Sequence, residues 1–156
     1  ISVYVPNGHI VESDKYNYKR DWLERLFPYL ERTRQPDTPL LISGDFNIAP
    51  DVEDVAEPDV WRDSVLFNPD MTKVMMRLSD WGLEDVVRKH NSGPELYSWW
   101  DYRQLAFPRN KGLRIDHIFA TSELASLSIS ASVDRDERKG AKPSDHAPVV
   151  AEFNWP

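Results

Sequence analysis

The chain has 156 residues, a formal net charge of −7 and no cysteine. This length suits one domain with a sizeable core, and the absence of cysteine excludes a disulfide framework and thiolate metal sites. No apolar run approaches the roughly 20 residues of a membrane-spanning helix, so no membrane partner is expected. The acidic charge argues against a passive binder of the nucleic-acid backbone, although an acidic site attracts phosphate once it holds a cation.

The first 47 residues predict a strand, a helix and a second strand. Residues 1–5 have the composition of a strand and stop at Pro6-Asn7-Gly8, a sequence typical of turns. Apolar residues three and four apart predict an amphipathic helix over about residues 14–34, with a kink or break at Pro28. Residues 40–43 form a short apolar run, which is typical of a strand buried on both faces.

The remainder of the chain predicts a loop, two helices and four strands. Residues 48–69 carry three prolines and several acids, as a long surface loop does. We expect Asp70 to cap a helix that ends near Gly82, and a shorter helix to follow at about residues 85–90. Alternating apolar residues then predict strands at residues 97–102, 114–121, 127–134 and 147–153. Helices mixed with many strands indicate an α+β fold in which helices pack on a sheet.

Three segments place carboxylate or amide groups at the end of an apolar strand. They are residues 44–47 with Asp45 and Asn47, residues 112–118 with Asp116, and residues 142–148 with Asp145 and His146. Oxygen ligands with one imidazole and no sulfur suit a hard divalent cation. If these strand ends meet in space, they form a metal-assisted catalytic site.

Each segment alone also has a purely structural interpretation. The pattern Gly-Asp-x-Asn is common in turns. Asp116 could be the ion-pair partner of Arg114 or Arg103, and the Asp145-His146 pair could cap a neighbouring element. The occurrence of all three in a chain of this size favours the catalytic interpretation.

Five motifs follow one another in a fixed order along the chain. They are Tyr4-Val5-Pro6-Asn7-Gly8, Gly44-Asp45-Phe46-Asn47, Ser98-Trp99-Trp100-Asp101-Tyr102-Arg103, Leu113-Arg114-Ile115-Asp116 and Ser144-Asp145-His146-Ala147-Pro148. In this order the chain closely resembles the exonuclease III family of apurinic/apyrimidinic (AP) endonucleases. The second and fifth motifs are shared across the wider endonuclease/exonuclease/phosphatase superfamily, whereas the first and third point to its DNA-repair branch.

The resemblance implies half of a four-layered αββα sandwich of the deoxyribonuclease I-like type, with a mostly antiparallel mixed sheet. Residues 1–156 would be the C-terminal half of an endonuclease/exonuclease/phosphatase domain. The family's N-terminal half holds an Asn and a Glu that help to bind the metal, and residues 1–156 contain no counterpart of them. One face of the sheets should therefore be exposed, with an apolar patch and a strand edge that favour aggregation or pairing.

The activity implied by the resemblance is that of a DNA-repair phosphodiesterase that uses Mg²⁺, with Mn²⁺ as an alternative ion. It combines AP endonuclease, 3′–5′ exonuclease and 3′-phosphatase activities. The implied metal ligands are Asp45, Asn47 and Asp145.

The same resemblance implies a role for each catalytic residue. Asp45 would be the base or would orient the attacking water, and Asn47 would help to fix the phosphate. His146 would donate to the scissile phosphate while Asp116 orients its ring. Tyr4 would lie beside the phosphate as a donor or as a phenolate.

The implied partner is double-stranded DNA with abasic or 3′-blocked ends. Trp99, Leu113 and Ile115 match the family positions of a pocket for a flipped-out sugar, and Trp100 should face the core. Residues 103–114 contain four basic residues and no acid, so Arg103 and Arg114 are expected to contact phosphate. Asn7 and Lys19 are further candidates for DNA contact, although Lys19 also lies on the predicted helix.

Two alternative functions remain open from the sequence. One is a phosphatase of the same superfamily that acts on a lipid or sugar phosphate, which would require residues 99–114 to form a core hairpin. The other is a catalytically inactive half-domain. The resemblance also implies a bacterial, cytoplasmic and nucleoid-associated protein without an obligate protein partner.

Overall fold

The computed structural model describes residues 1–35 and 37–155, which form a mixed α+β fold and confirm the predicted class. The strands are β1 (Ser2–Tyr4), β2 (Leu41–Asp45), β3 (Leu83–Asp85), β4 (Asp116–Thr121), β5 (Ser128–Val133) and β6 (Val149–Phe153). The helices are α1 (Asp14–Thr33), α2 (Pro58–Trp61), α3 (Pro69–Trp81), α4 (Val86–His90) and α5 (Ser122–Ser126). Two 3₁₀ helices cover Val52–Asp54 and Arg135–Lys139. No helix in the described part of the chain is long and apolar enough to cross a bilayer.

Strands β1 to β4 form one sheet in the order β1-β2-β4-β3. Strand β1 is parallel to β2, and β4 is antiparallel to both of its neighbours. In this register Tyr4 lies opposite Asp45, and Asp45 lies opposite Asp116. Directly paired residues point to the same face of a sheet. The backbone pairing therefore aligns three of the predicted catalytic residues on one face.

The other face of this sheet packs against α1 and α3 in the main core. Ile42, Phe46 and Phe119 from the sheet region meet Leu23 of α1 and Met71 of α3 there, all buried. Both helices are amphipathic, so one apolar stripe on each covers the sheet. Burial of these side chains, at about 25 cal/mol per Å² of apolar surface, is the main stabilising term that holds the helices in place.

Strands β5 and β6 pair antiparallel and pack on part of the face of the larger sheet that carries Asp45 and Asp116. The remainder of that face borders a cleft of about 650 Å³, lined by residues that include Ser43, Ile118 and Val149. The sequence predicts that β2 is buried on both faces, and this prediction is wrong. Ile42 is completely buried, whereas Leu41 and Ser43 on the cleft side are partly exposed.

Helix boundaries differ from the predictions in two places. Helix α1 runs from Asp14 to Thr33 through Pro28 without a break, because Phe27 and Leu30 on either side of the proline remain buried in the core. The cap of α3 is Asn68 instead of Asp70, since the Asn68 side chain accepts from two backbone N–H groups of the first turn. Pro69 occupies the first helical position, where its lack of an N–H has no cost.

The predicted strand at residues 97–102 is absent from the described residues. Trp99 instead forms isolated bridges with Leu113 and with His146. Trp99 thus pairs with each of two neighbouring segments at a single position only. The alternation of apolar and polar residues at 97–102 follows the burial of the side chains and does not mark a hydrogen-bonded strand. Strand β3 was not predicted, because three residues are too few to show a period of two.

Candidate active site

Three predicted catalytic side chains meet at the end of the larger sheet. Asp45 is the last residue of β2, Asp116 is the first residue of β4, and His146 lies shortly before β6. One ligand atom from each of these residues lies within 4.8 Å of the other two. The three strand ends therefore converge, as the sequence predicts.

The imidazole of His146 is held by a carboxylate that is itself held by a serine. His146 Nδ1 lies 2.9 Å from Oδ2 of Asp116, and the Ser98 hydroxyl donates to the same oxygen at 2.7 Å. Ser98 Oγ in turn accepts from the backbone N–H groups of Ile115 and Asp116 at 3.1 Å each. Sequence reasoning missed the role of Ser98, although this residue opens the Ser-Trp-Trp-Asp-Tyr-Arg motif.

Asp45 is fixed by the residue two positions after it. The backbone N–H of Asn47 donates to Asp45 Oδ1 at 2.8 Å, and the Asn47 side-chain amide donates to Oδ2 at 2.9 Å. Asn47 adopts the left-handed conformation at φ 50°, which asparagine tolerates better than most residues. The Asn7 amide donates to Oδ1 of Asn47 at 2.9 Å. Asn47 thus positions Asp45, and Asn7 positions Asn47.

Gly44 allows β1 and β2 to approach each other beside Asp45. A Cβ at this position would lie 1.9 Å from the carbonyl oxygen of Val3, and φ is +141°. Any other residue would therefore both clash and be strained. The glycine of the Gly-Asp-Phe-Asn motif is needed for strand pairing at the site.

The carboxylates and the imidazole of the site influence each other's ionisation. Burial, together with the nearby charge of Asp116, raises the pKa of Asp45 to about 6. Burial alone would lower the pKa of His146, but its hydrogen bond to Asp116 and the charges of Asp116, Asp45 and Asp145 leave that pKa raised. The site therefore concentrates negative charge around one imidazole, an arrangement that favours a cation or a protonated His146.

The chemistry of this cluster fits a divalent metal ion. Two carboxylates and an imidazole without sulfur are donors of the kind that hard cations take. Burial and the charge of Asp116 both raise the pKa of Asp45, and a bound cation would offset both effects. The cluster shares Asp45 with the predicted ligand set, and Asp116 and His146 lie beside it.

Asp145 lies outside the cluster and is held by the aromatic segment. The indole N–H of Trp99 donates to Asp145 Oδ2 at 2.9 Å. Trp99 is partly exposed and meets Trp61 edge to face at 5.8 Å between ring centroids. Trp100 is completely buried, as the sequence predicts. Trp99 therefore forms part of the surface beside the site, whereas Trp100 belongs to the core.

Two predicted DNA-contacting cations are buried and already bonded. Arg114 is 1% exposed and forms ion pairs with Asp54 and Asp85. Lys19 is completely buried, and its ammonium donates to the carbonyl oxygens of Asn7, Asn47 and Val65. Burial lowers the pKa of Lys19 to about 7, while the charge of Asp45 opposes this effect. Neither cation reaches the surface, so the structure gives both a structural role.

The remaining predicted residues divide into exposed and buried sets. The exposed ones are Tyr4, Asn7 and Arg103. Arg103 is paired with Asp101 at 2.6 Å but its side chain remains 84% exposed. Leu113 and Ile115, at 0% and 1% exposure, lie in the main core. These two residues therefore pack in the core beneath Trp99 and Asp116 and do not line a surface pocket.

The family model and the sequence relatives that match this chain belong to one family. A family model described as "Endonuclease/Exonuclease/phosphatase family" matches residues 2–146. Exodeoxyribonuclease III of Haemophilus influenzae is 38% identical over 161 residues, which cover 98% of this chain and 60% of that protein. The exodeoxyribonuclease of Bacillus subtilis is 31% identical, with 99% and 59% covered. The chain thus spans about 60% of the length of these two relatives.

Solved structures agree with the sequence relatives. An AP endonuclease from Archaeoglobus fulgidus superposes with a TM-score of 0.94 at 38% identity, over 99% of this chain and 60% of that one. A 3′–5′ exonuclease from Neisseria meningitidis, NExo, gives a TM-score of 0.91 at 38% identity with the same coverage. A further Neisseria structure is described as the 3′ phosphatase NExo bound to a product DNA hairpin.

Proposed function

Because this chain belongs to the endonuclease/exonuclease/phosphatase family, we propose that it is the C-terminal half of the catalytic domain of a DNA-repair phosphodiesterase. The proposed activities are cleavage of duplex DNA at abasic sites, 3′–5′ exonuclease action and removal of 3′-blocking phosphate. The observation that carries this proposal is the ordered series Ser98–Asp116–His146, which faces Asp45 across one site. The names of the relatives and of the superposed structures support the nucleic-acid substrate.

His146 is the proposed donor to the scissile phosphate. Its Nδ1 is bonded to Asp116, which leaves Nε2 as the ring atom that can donate to a phosphoryl oxygen. The raised pKa of His146 favours the protonated ring, whose positive charge stabilises the negative charge of the transition state. Asp116 supplies the negative charge that keeps the ring protonated and oriented.

Asp45 is the proposed group that orients the attacking water and accepts its proton. Its two oxygens are fixed by the backbone and side-chain N–H groups of Asn47, so the carboxylate has one orientation. In the ion-free site its pKa is raised to about 6, so the carboxylate is mostly ionised at neutral pH and able to accept a proton. Tyr4 is exposed and lies next to Asp45 in the register, so its hydroxyl is the proposed further contact to the phosphate.

The proposed cofactor is Mg²⁺, with Mn²⁺ as an alternative. Asp45 belongs both to the predicted ligand set and to the observed cluster, so we assign it as the main ligand from this chain. Asn47, which is bonded to Asp45, and Asp116 are the further ligands that we propose from the cluster region, whereas the predicted ligand Asp145 lies outside the cluster. The groups that the resemblance assigns to the N-terminal half would complete the site. When bound, the ion would supply positive charge beside the phosphoryl oxygens.

The proposed DNA surface consists of exposed groups beside the cluster. Trp99 is the proposed wall of the pocket for the flipped-out sugar, and Arg103 and Asn7 are the proposed phosphate contacts. Tyr102 and Leu105, at 64% and 63% exposure, belong to the same segment. A segment with these residues at the surface is not the core hairpin that a lipid or sugar phosphatase would require.

The test compares an abasic duplex with a soluble phosphoester as substrates. The chain is assayed alone and mixed with the N-terminal part of the Haemophilus relative, in Mg²⁺, in Mn²⁺ and with a chelator. We expect strand cleavage at the abasic site that requires the ion and the added half, and that His146→Ala abolishes. His9→Ala, which changes an exposed histidine outside the cluster, is the control.

Two results would contradict the proposal. Turnover of the soluble phosphoester that equals or exceeds cleavage of the duplex would identify a phosphatase of the same family. Failure of the combined halves to cleave any substrate, when the two halves of the relative do cleave, would identify an inactive half-domain.

A further inference from the structure

The segment of residues 143–147, here called the histidine loop, carries Asp145 and His146. Most of the hydrogen bonds to this loop come from residues 98–102. The Tyr102 hydroxyl donates to the Pro143 carbonyl at 2.8 Å, and the Trp100 N–H donates to the Asp145 carbonyl at 3.0 Å. The Ala147 N–H donates to the Ser98 carbonyl at 2.7 Å. The carbonyl of Ser144, in the middle of the loop, is held by a different residue.

That residue is Arg138, from the 3₁₀ helix that precedes the loop. Its guanidinium donates to the Ser144 carbonyl. The residue is only 6% exposed, and its guanidinium carbon lies 4.9 Å from the ring centre of Phe107, 5.4 Å from that of Tyr102 and 6.0 Å from that of Trp100. Arg138 therefore links the aromatic residues of segment 100–107 to the centre of the histidine loop.

Few hydrogen bonds or opposite charges compensate the buried charge of Arg138. Across the described ranges 1–35 and 37–155, no salt bridge includes Arg138, and its Nε has no hydrogen-bond partner. Burial of a guanidinium without a carboxylate is unfavourable, and contact with aromatic ring faces offsets only part of this. An apolar side chain of similar size would stabilise the same space at least as well. The placement is therefore poorly explained by stability alone.

We propose that Arg138 is a positioning residue, which fixes the histidine loop so that His146 stays against Asp116. The planar guanidinium can lie among ring faces and donate an in-plane N–H to a carbonyl at the same time, which an ammonium cannot do equally well. The effect on turnover rests on the proposed function, whereas the effect on the loop does not. A misplacement of about 1 Å at a catalytic group can reduce a rate by about 100-fold.

Arg135 provides a matched control from the same 3₁₀ helix. Its guanidinium carbon lies 4.9 Å from the Trp100 ring centre and 5.2 Å from that of Phe107. Its hydrogen bond goes to the Asn110 side chain, not to the histidine loop. Arg135→Met thus removes a cation from the same aromatic rings without removing a bond to residues 143–147.

The experiment compares Arg138→Met with Arg135→Met in hydrogen exchange and in kinetics. In Arg138→Met we expect the amides of residues 144–147 to exchange about 10-fold faster than in the wild type. In the active assembly, which is the mixture of this chain with the N-terminal part of the Haemophilus relative, we expect kcat to fall by about 10-fold to 100-fold. KM for the duplex should change by less than about 2-fold. Arg135→Met should leave both the loop exchange and kcat at the wild-type level.

Each outcome decides for or against the proposal. Equal exchange of the loop in the two methionine variants, or wild-type exchange in Arg138→Met, overturns it. If no protein in the series cleaves DNA, the exchange comparison still decides the role of Arg138 while the proposed function fails. If Arg138→Met does not unfold cooperatively, Arg138→Lys replaces it. Wild-type loop exchange in that variant overturns the proposal.

Discussion

The surroundings of Asp116 suit a catalytic carboxylate and do not suit a structural ion pair with Arg114. Its carboxylate accepts from Ser98 and contacts His146. Arg114, which the sequence offered as an ion-pair partner of Asp116, is instead bonded to Asp54 and Asp85. The structure therefore excludes the alternative in which Asp116 serves to neutralise Arg114.

Asp116→Asn should leave the fold intact and strongly reduce turnover, because the substitution preserves shape and removes charge. The His146 ring would lose the anion that keeps it protonated and oriented. We expect kcat on an abasic duplex to fall by about 100-fold or more in the active assembly. The thermal unfolding midpoint, measured in parallel, should stay close to the wild-type value. Asp59→Asn, which breaks an exposed ion pair with Arg62, is the control, and wild-type turnover of Asp116→Asn would assign Asp116 a structural role.

His117 makes the stability of the fold depend on pH. Burial, with the charge of Arg114, lowers the pKa of this ring from 6.5 to about 4. The unfolded chain takes up the proton near pH 6.5 and the folded chain only near pH 4, so the unfolded state binds more protons between these values. The contribution of His117 to the free energy of unfolding should therefore decrease as the pH falls through this window.

Denaturant unfolding at several pH values tests this dependence. Asp45, whose pKa is raised to about 6, contributes with the opposite sign in the same window, so the test is the difference between two proteins. The free energy of unfolding of the wild type relative to that of His117→Gln should decrease between about pH 6.5 and pH 4. His9→Gln, which alters an exposed ring, should follow the wild type. Parallel curves for the wild type and His117→Gln would show that His117 does not carry the effect.

Residue types and motif order were enough to predict that Asp45, Asp116 and His146 lie close together, but not where every charged side chain lies. Arg114 and Lys19 were predicted at the surface because a sequence shows charge and does not show burial. Their buried partners are distant in the chain: Asp54 lies 60 residues before Arg114, and Val65 lies 46 residues after Lys19. Pairing over such separations depends on the tertiary fold, which no local pattern encodes.

At the scale of elements, the pairing of β1, β2 and β4 determines the geometry of the site. A shift of one residue between β2 and β4 would move Asp45 and Asp116 to opposite faces. Gly44 stabilises the correct pairing, because it lets the backbone of β2 approach the Val3 carbonyl. The strand ends could be predicted from apolar runs, whereas the register could not, since it follows from contacts between residues 71 to 79 positions apart in the chain.

Gly44→Ala should destabilise the fold and separate Tyr4 from Asp45. The new Cβ would clash with the Val3 carbonyl, and φ +141° is unfavourable for alanine. We expect a loss of about 2–4 kcal/mol in the free energy of unfolding. Gly140→Ala is the matched control, because nothing lies within 4 Å of a Cβ at that position. Equal denaturation midpoints for the two variants would contradict the proposed role of Gly44.

At the scale of the molecule, the face of the larger sheet that carries Asp45 and Asp116 is only partly covered. Strands β5 and β6 cover part of it, and the cleft of about 650 Å³ separates the remainder from β6. Leu41 and Ile118 are partly exposed on this face. The sequence predicts such an exposed face through its resemblance to half of a sandwich, and we propose that the N-terminal half of the domain covers it.

The chain alone should therefore self-associate through this face. Leu41→Lys places a charge on the open face, and Met76→Lys places one on an equally apolar position of α3 that is 64% exposed. Sedimentation velocity should show reduced association for Leu41→Lys and unchanged association for Met76→Lys. A monomeric wild type, or equal association in the two variants, would contradict the prediction.

The two carboxylates and the imidazole of the site are fastened in different ways. Asp45 and Asp116 belong to paired strands and can separate only if the sheet opens, whereas His146 sits on a loop with a few single hydrogen bonds. Mild warming should thus release the imidazole before the strands part. Catalysis would then fade at temperatures where circular dichroism still reports an intact fold, and cooling would restore it.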